Sequence, residues 1–85
     1  MTYRYLESVL GELARHGVIP RQDTPPEFVR EYVSALYLVE IRSLRRKLLA
    51  GQIQKKDYAQ QVAELRDRYP ILSLRVDLWA EESGD

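Results

Sequence analysis

Apolar side chains recur every three or four residues in three segments of the chain, the spacing that places them on one face of an α-helix. This spacing predicts helices over residues 3–16, 25–50 and 55–69. Because a helix with two apolar faces has more than one packing partner, we expect the first helix to cover one side of the middle helix and the third helix to cover another. The two apolar clusters of the middle helix are Phe28, Val29, Tyr32, Leu36 and Val39 on one side, and Tyr37, Ile41, Leu44 and Leu48 on another.

Glycine, proline and a capping sequence mark the predicted helix ends. Gly17 and Gly51 follow the first and second helices, where a residue in the left-handed conformation commonly ends a helix. The run Thr24, Pro25, Pro26, Glu27 has the form of a capping box, which predicts that the Thr24 side chain caps the second helix. Pro70 ends the third helix, because proline cannot continue one.

The C-terminal segment, residues 71–85, fits two structures. Alternating apolar residues favour a strand, whereas Leu74, Leu78 and Trp79 suit a short helix. We favour the short helix, because a lone strand needs a partner and glycine and asparagine are scarce. We expect residues 81–85 to fray. The predicted fold is therefore all-α and forms one domain over residues 1–85: a three-helix bundle with a long central helix and a short apolar C-terminal segment.

Composition narrows the classes of protein to consider. The 85 residues include 13 basic and 13 acidic side chains, for a formal net charge of zero, whereas nucleic-acid binders usually carry a basic excess. Cysteine is absent, which excludes disulfides, thiolate metal sites and cysteine nucleophiles. The sequence contains neither an apolar run long enough to span a membrane nor a signal-peptide core, so we expect a cytoplasmic protein.

Residues that could carry chemistry are few. His16 is the single histidine, and Glu12 lies four residues before it on the same predicted helix face. A metal site needs three or four such ligands, so we interpret His16 as a cation at a helix end. No glycine-rich phosphate loop and no nucleophile-elbow serine are present. We therefore predict no catalytic, metal or cofactor residues, and a protein that is not an enzyme.

Basic residues cluster around the predicted turn between the second and third helices. One interpretation is a surface that binds nucleic acid or an acidic partner. The alternative is that the helix dipole favours these cations and that the acidic C-terminal segment, with Asp77, Glu81, Glu82 and Asp85, neutralises them. The cluster, called the basic tip below, comprises Arg42, Arg45, Arg46, Lys47, Lys55 and Lys56.

Residues 41–66 resemble a SHOCT-type helical hairpin, a short module often found at protein C-termini. The matching residues are an apolar helix end, a G-x-I turn and an aromatic residue that opens the next helix: Leu44, Leu48, Leu49, Gly51, Ile53, Asp57, Tyr58, Val62 and Leu65. Gln54, Lys55 and Lys56 depart from the family pattern, which has Thr or Ser and then acidic residues there. The resemblance implies a role in oligomerisation or at the cell envelope, without catalysis.

The six tyrosines have two interpretations: they lie at the rim of a protein interface, or they surround a small core with their hydroxyls in water. The apolar central helix points to protein–protein contact. Leu38 projects away from both predicted helix contacts, and Tyr37 is expected to be half covered. Either the apolar tail, with Leu74, Leu78 and Trp79, closes this gap within one chain, or a second copy of the protein covers it. These three residues, Tyr37, Leu38 and Trp79, are the candidates for self-association into a homodimer. The sequence thus predicts a small non-catalytic interaction module or adaptor, with binding of nucleic acid or an acidic partner through the basic tip as the alternative.

Overall fold

The computed structural model describes residues 1–83. Within these residues, three α-helices are confirmed, and the middle one is the longest. A small two-stranded sheet was not predicted. In chain order the elements are strand β1 (Thr2–Tyr5), helices α1 (Glu7–Arg15), α2 (Pro26–Leu49) and α3 (Lys55–Asp67), two 3₁₀ helices (Pro70–Ser73 and Val76–Leu78) and strand β2 (Ala80–Ser83).

The sheet joins the two ends of the chain. β1 and β2 are antiparallel, with Arg4 opposite Glu81 and Tyr5 opposite Ala80. The prediction of a helix from residue 3 is therefore wrong, as is the expectation that residues 81–83 fray; residues 84 and 85 lie outside the described part. Threonine and tyrosine favour the pleated conformation, and strands at opposite chain ends need no turn residues between them.

The two predicted glycine helix ends are confirmed. Gly17 and Gly51 have φ angles of 75° and 74°, the left-handed region that side chains other than glycine disfavour. After α1, the Val18 N–H donates to the Leu13 carbonyl at 2.9 Å. After α2, the Gln52 N–H donates in the same way to the Lys47 carbonyl at 2.9 Å. Both helices thus end in a Schellman motif.

The predicted Thr24 cap is wrong, because α2 begins one residue later than the capping box requires. Pro25 occupies the N-cap position with an extended backbone, and no side chain caps the helix. A residue that precedes proline is pushed out of the helical conformation, so Pro26 fixes Pro25 as extended and itself becomes the first helical residue. The Thr24 hydroxyl instead accepts a hydrogen bond from the Arg21 N–H at 3.1 Å.

The core forms where the C-terminal segment meets α1 and α2. The first 3₁₀ helix contacts both α1 and α2, and the second contacts α2. Trp79 follows them and is the largest fully buried side chain; its indole N–H donates to the Leu74 carbonyl at 3.0 Å. The tail therefore takes up short helical turns, as favoured, but in two pieces separated by Leu74 and Arg75. The buried apolar residues are Tyr5, Val9, Leu13, Val29, Val33, Leu65, Tyr69, Ile71 and Trp79.

The molecule is long and narrow because α2 and α3 form an antiparallel hairpin that extends beyond the core. Its principal extents are 54 × 18 × 17 Å. Its radius of gyration is 15.7 Å, whereas a compact chain of this length has about 12 Å. Within residues 1–83, much of α2 is consequently left without a packing partner.

Candidate functional site

One face of α2 carries large apolar side chains that remain in solvent. Phe28 is 65% exposed, Tyr32 58% and Val39 60%, and Ala35 between them is also exposed. These four residues follow one another at intervals of four, three and four positions, which aligns them along one side of a helix. We call Phe28, Tyr32, Ala35 and Val39 the α2 stripe.

The α2 stripe corrects the predicted packing of the first helix. Phe28, Tyr32 and Val39 are exposed, although the prediction places them under that helix. Val29 of the same predicted cluster is buried, and so is Val33, which lies outside the cluster. Val29 and Val33 project roughly 100–140° around the helix from Phe28. The C-terminal segment with Trp79 packs on this side, so the side that carries the stripe stays open. α3 contacts α2 as predicted. Ile41 and Leu44 are partly buried against the core that includes Leu65 of α3, whereas Leu48 is half-buried outside that core.

The three residues predicted for self-association lie in three different environments. Leu38 is 48% exposed and lies beside the α2 stripe. Tyr37 is half-buried and packs edge to face against Tyr69, with ring centroids 5.3 Å apart. Trp79 is fully buried within its own chain, so it is not accessible to a partner. Leu38 is therefore the one of these three that belongs to the exposed face.

The sequence reasoning missed Phe28, Tyr32 and Val39 as surface residues. A signal was present, because the 4-3-4 spacing of the stripe is the pattern by which helices pair side by side. The prediction assigns this spacing to an intramolecular contact, because it extends the first helix from residue 3 to residue 16. With residues 2–5 in a strand, α1 has only nine residues.

All six residues of the basic tip are exposed around the turn of the hairpin. In residues 1–83 the ion pairs are Glu12 with Arg15 and Arg75 with Asp77, neither of which involves the tip. Glu81 and Glu82 lie on β2 beside β1, and Asp77 pairs with Arg75, so none of these three forms an ion pair with the tip. Asp85, the fourth acidic residue of that alternative, lies outside the described residues.

A polar cluster joins the end of α1 to α2 and to the end of α3. The His16 ring stacks on Tyr69 with centroids 4.1 Å apart, and the Tyr69 hydroxyl donates a hydrogen bond to the Glu40 carboxylate. Burial, together with this bond to Glu40, raises the pKa of Tyr69 to about 12. Glu12 pairs with Arg15, at 3.2 Å, and not with His16. The His16 side chain thus takes part in packing at the helix end.

A groove of about 790 Å³ lies between α2 and α3, with polar residues such as Ser43, Gln54 and Gln61 in its walls. Among the residues that the structure describes, no set of three His, Cys, Asp or Glu side chains is grouped to hold a metal ion. Over the same residues, every helix is too short or too polar to cross a lipid bilayer.

No protein-family model, curated protein or solved structure matches this chain. What the protein does is therefore inferred from its own side chains, and the α2 stripe is the feature that most needs an explanation.

Proposed function

We propose that this protein is a small non-catalytic interaction module that docks another protein surface on the α2 stripe. The observation that carries the proposal is the exposure of Phe28, Tyr32 and Val39 along one line of α2. Contiguous exposed apolar side chains on a soluble chain mark interaction sites more often than chance placement does. When a partner covers the exposed part of one of these side chains, the burial contributes about 1–2 kcal/mol to the free energy of binding.

The way in which α2 is held supports this function. Val29 and Val33 anchor the N-terminal half of the helix in the core, and α3 packs on its C-terminal half. The stripe is therefore presented by a helix fixed on its opposite side, which lowers the entropy lost when a partner binds. The SHOCT-type resemblance of the hairpin, which implies an interaction role, agrees with this proposal.

Site-specific photo-crosslinking in the native host tests the proposal. A photoreactive residue at Val39 should form a covalent adduct, because the partner would cover this position. The matched control is Ala63, which is exposed on the side of α3 opposite the buried Leu65 and should form none. Equal labelling at the two positions, or no adduct at Val39, would contradict the proposal.

A second candidate function rests on the basic tip. Its six side chains are exposed, and within residues 1–83 no ion pair occupies them. Such a cluster can bind phosphate groups of nucleic acid or the carboxylates of an acidic protein. If it binds nucleic acid, affinity for labelled DNA or RNA should fall steeply as salt rises, and the double variant Arg45→Ala with Arg46→Ala should reduce that salt dependence. Absence of binding at low salt would eliminate this function.

A further inference from the structure

We infer that the partner that covers the α2 stripe is a second copy of this chain, packed antiparallel along α2; the inference rests on the proposed function. Three observations lead to it: the continuation of the stripe into arginines, the order of charges beside it, and the surface area that the single chain leaves open.

The stripe continues toward the C-terminus of α2 at the same spacing. Arg42 and Arg46 follow Val39 at intervals of three and four residues, and both are exposed. An antiparallel copy related by a two-fold axis near residue 37 would set Ala35 against Val39. The same axis would set the two arginines over Tyr32 and Phe28 of the other copy. Guanidinium groups stack favourably on aromatic faces, so every position of the continued stripe would meet a suitable neighbour.

The charged residues beside the stripe would also pair between two antiparallel copies. Glu31, Leu38 and Arg45 are seven residues apart, are all exposed and therefore share one side of α2. The same two-fold axis would place Leu38 against its own copy and Glu31 against Arg45, twice per dimer. A parallel copy would bring like charges together at both ends, which is unfavourable. The order acid, leucine, base therefore selects the antiparallel arrangement.

The open surface is large enough for such a contact. The chain exposes 6373 Å², about 1,100 Å² more than the roughly 5,200 Å² expected of a compact 10 kDa protein. A stable interface of ordinary size covers about 800 Å² on each partner. The contact from Phe28 to Arg46 would be about 27 Å long, from the helical rise of 1.5 Å per residue. α3 packs on the other side of α2 and does not obstruct it.

Sedimentation equilibrium of the purified chain at tens of micromolar is the first test. The wild type should sediment at about twice its mass of 10.0 kDa, and Val39→Glu should sediment as a folded monomer, with its helical circular dichroism retained. A wild type that stays monomeric at 100 micromolar would overturn the inference.

Charge exchange tests the orientation. Glu31→Arg and Arg45→Glu should each weaken association at least tenfold, because each homodimer then holds two like-charged pairs. An equimolar mixture of the two variants should recover wild-type affinity within about threefold, because the heterodimer has two attractive pairs again. Failure of the mixture to recover would exclude the antiparallel arrangement.

The two-fold axis has its own test. Since the chain has no cysteine, Leu38→Cys introduces a single thiol that should form an intermolecular disulfide rapidly under mild oxidation. Ala63→Cys, also exposed but far from the axis, should form it slowly. Equal rates would contradict the placement of the axis.

The mass of the crosslinked product separates this inference from the proposed function. An adduct at Val39 with twice the mass of the chain supports the second copy. An adduct only with a different protein contradicts the inference that a second copy binds the stripe, but it supports the proposal that the stripe is a docking surface. No adduct at all overturns both.

Discussion

Truncation of Leu65 tests how far the stability of the hairpin depends on the contact between α3 and the core. Leu65 is fully buried in one cluster with Tyr69 and Trp79. Removing a buried leucine to alanine costs about 2–5 kcal/mol, through lost burial and the cavity left behind. Because Leu65 is completely enclosed, we expect about 3 kcal/mol or more. That is a large part of the roughly 4–13 kcal/mol expected for an 85-residue domain.

Urea unfolding, followed by circular dichroism at 222 nm at one protein concentration, measures this cost. With a slope of about 1 kcal/mol per molar urea, the midpoint of Leu65→Ala should fall by about 3 M. The matched control is Leu49→Ala at the exposed end of α2, which should stay within about 0.5 kcal/mol of wild type. Equal shifts for the two leucines would refute the proposed packing of α3.

Three further predictions follow from the backbone and from the buried hydroxyls. Gly11→Ala should stabilise the fold by about 0.5–1 kcal/mol, because Gly11 lies in a helix and nothing lies within 4 Å of the added methyl group. Gly51→Ala should destabilise the fold by about 1–2 kcal/mol, because Gly51 has a positive φ that alanine disfavours. Chemical denaturation measures both changes. The pKa values of Tyr5 and Tyr69 are raised from 10.0 to about 12 in the folded chain. Between pH 10 and pH 12 unfolding therefore releases protons, and the free energy of unfolding should fall as the pH rises. In a pH series, this fall should be smaller when both tyrosines are replaced by phenylalanine. Thr24→Ala should change stability by no more than about 0.5 kcal/mol, measured by thermal unfolding, since its hydroxyl caps no helix.

The glycine signals predict the C-terminal ends of α1 and α2 correctly because they depend only on local backbone geometry. A left-handed glycine after the last helical turn fixes the ends of α1 and α2 at Gly17 and Gly51 without reference to the rest of the chain. The sheet could not be found in the same way. Thr2–Tyr5 is too short to show a periodic pattern, and its partner, Ala80–Ser83, lies at the opposite end of the sequence. Strand pairing over that distance depends on the tertiary fold.

The site was predictable only in part for a related reason. The exposed cations of the basic tip follow from charge and from the turn at Gly51. The exposed face of α2 could not be predicted in this way. The helix has apolar residues on most sides, and their pattern does not show which side packs against the core. The position of the C-terminal segment determines which side is buried. Because Trp79 packs into the core, Val29 and Val33 are buried beside it and Tyr32 is exposed.

The accessibility of Phe28 and Tyr32 inside the native host tests most directly whether the α2 stripe is an interaction surface. Hydroxyl-radical footprinting would compare the oxidised fraction of both residues in the host with that in dilute purified protein, with the exposed Leu49 as the internal reference. If a partner covers the stripe, oxidation of both aromatic residues should be several-fold lower in the host, while that of Leu49 stays the same. Equal oxidation in the two settings would contradict a role for this face in binding.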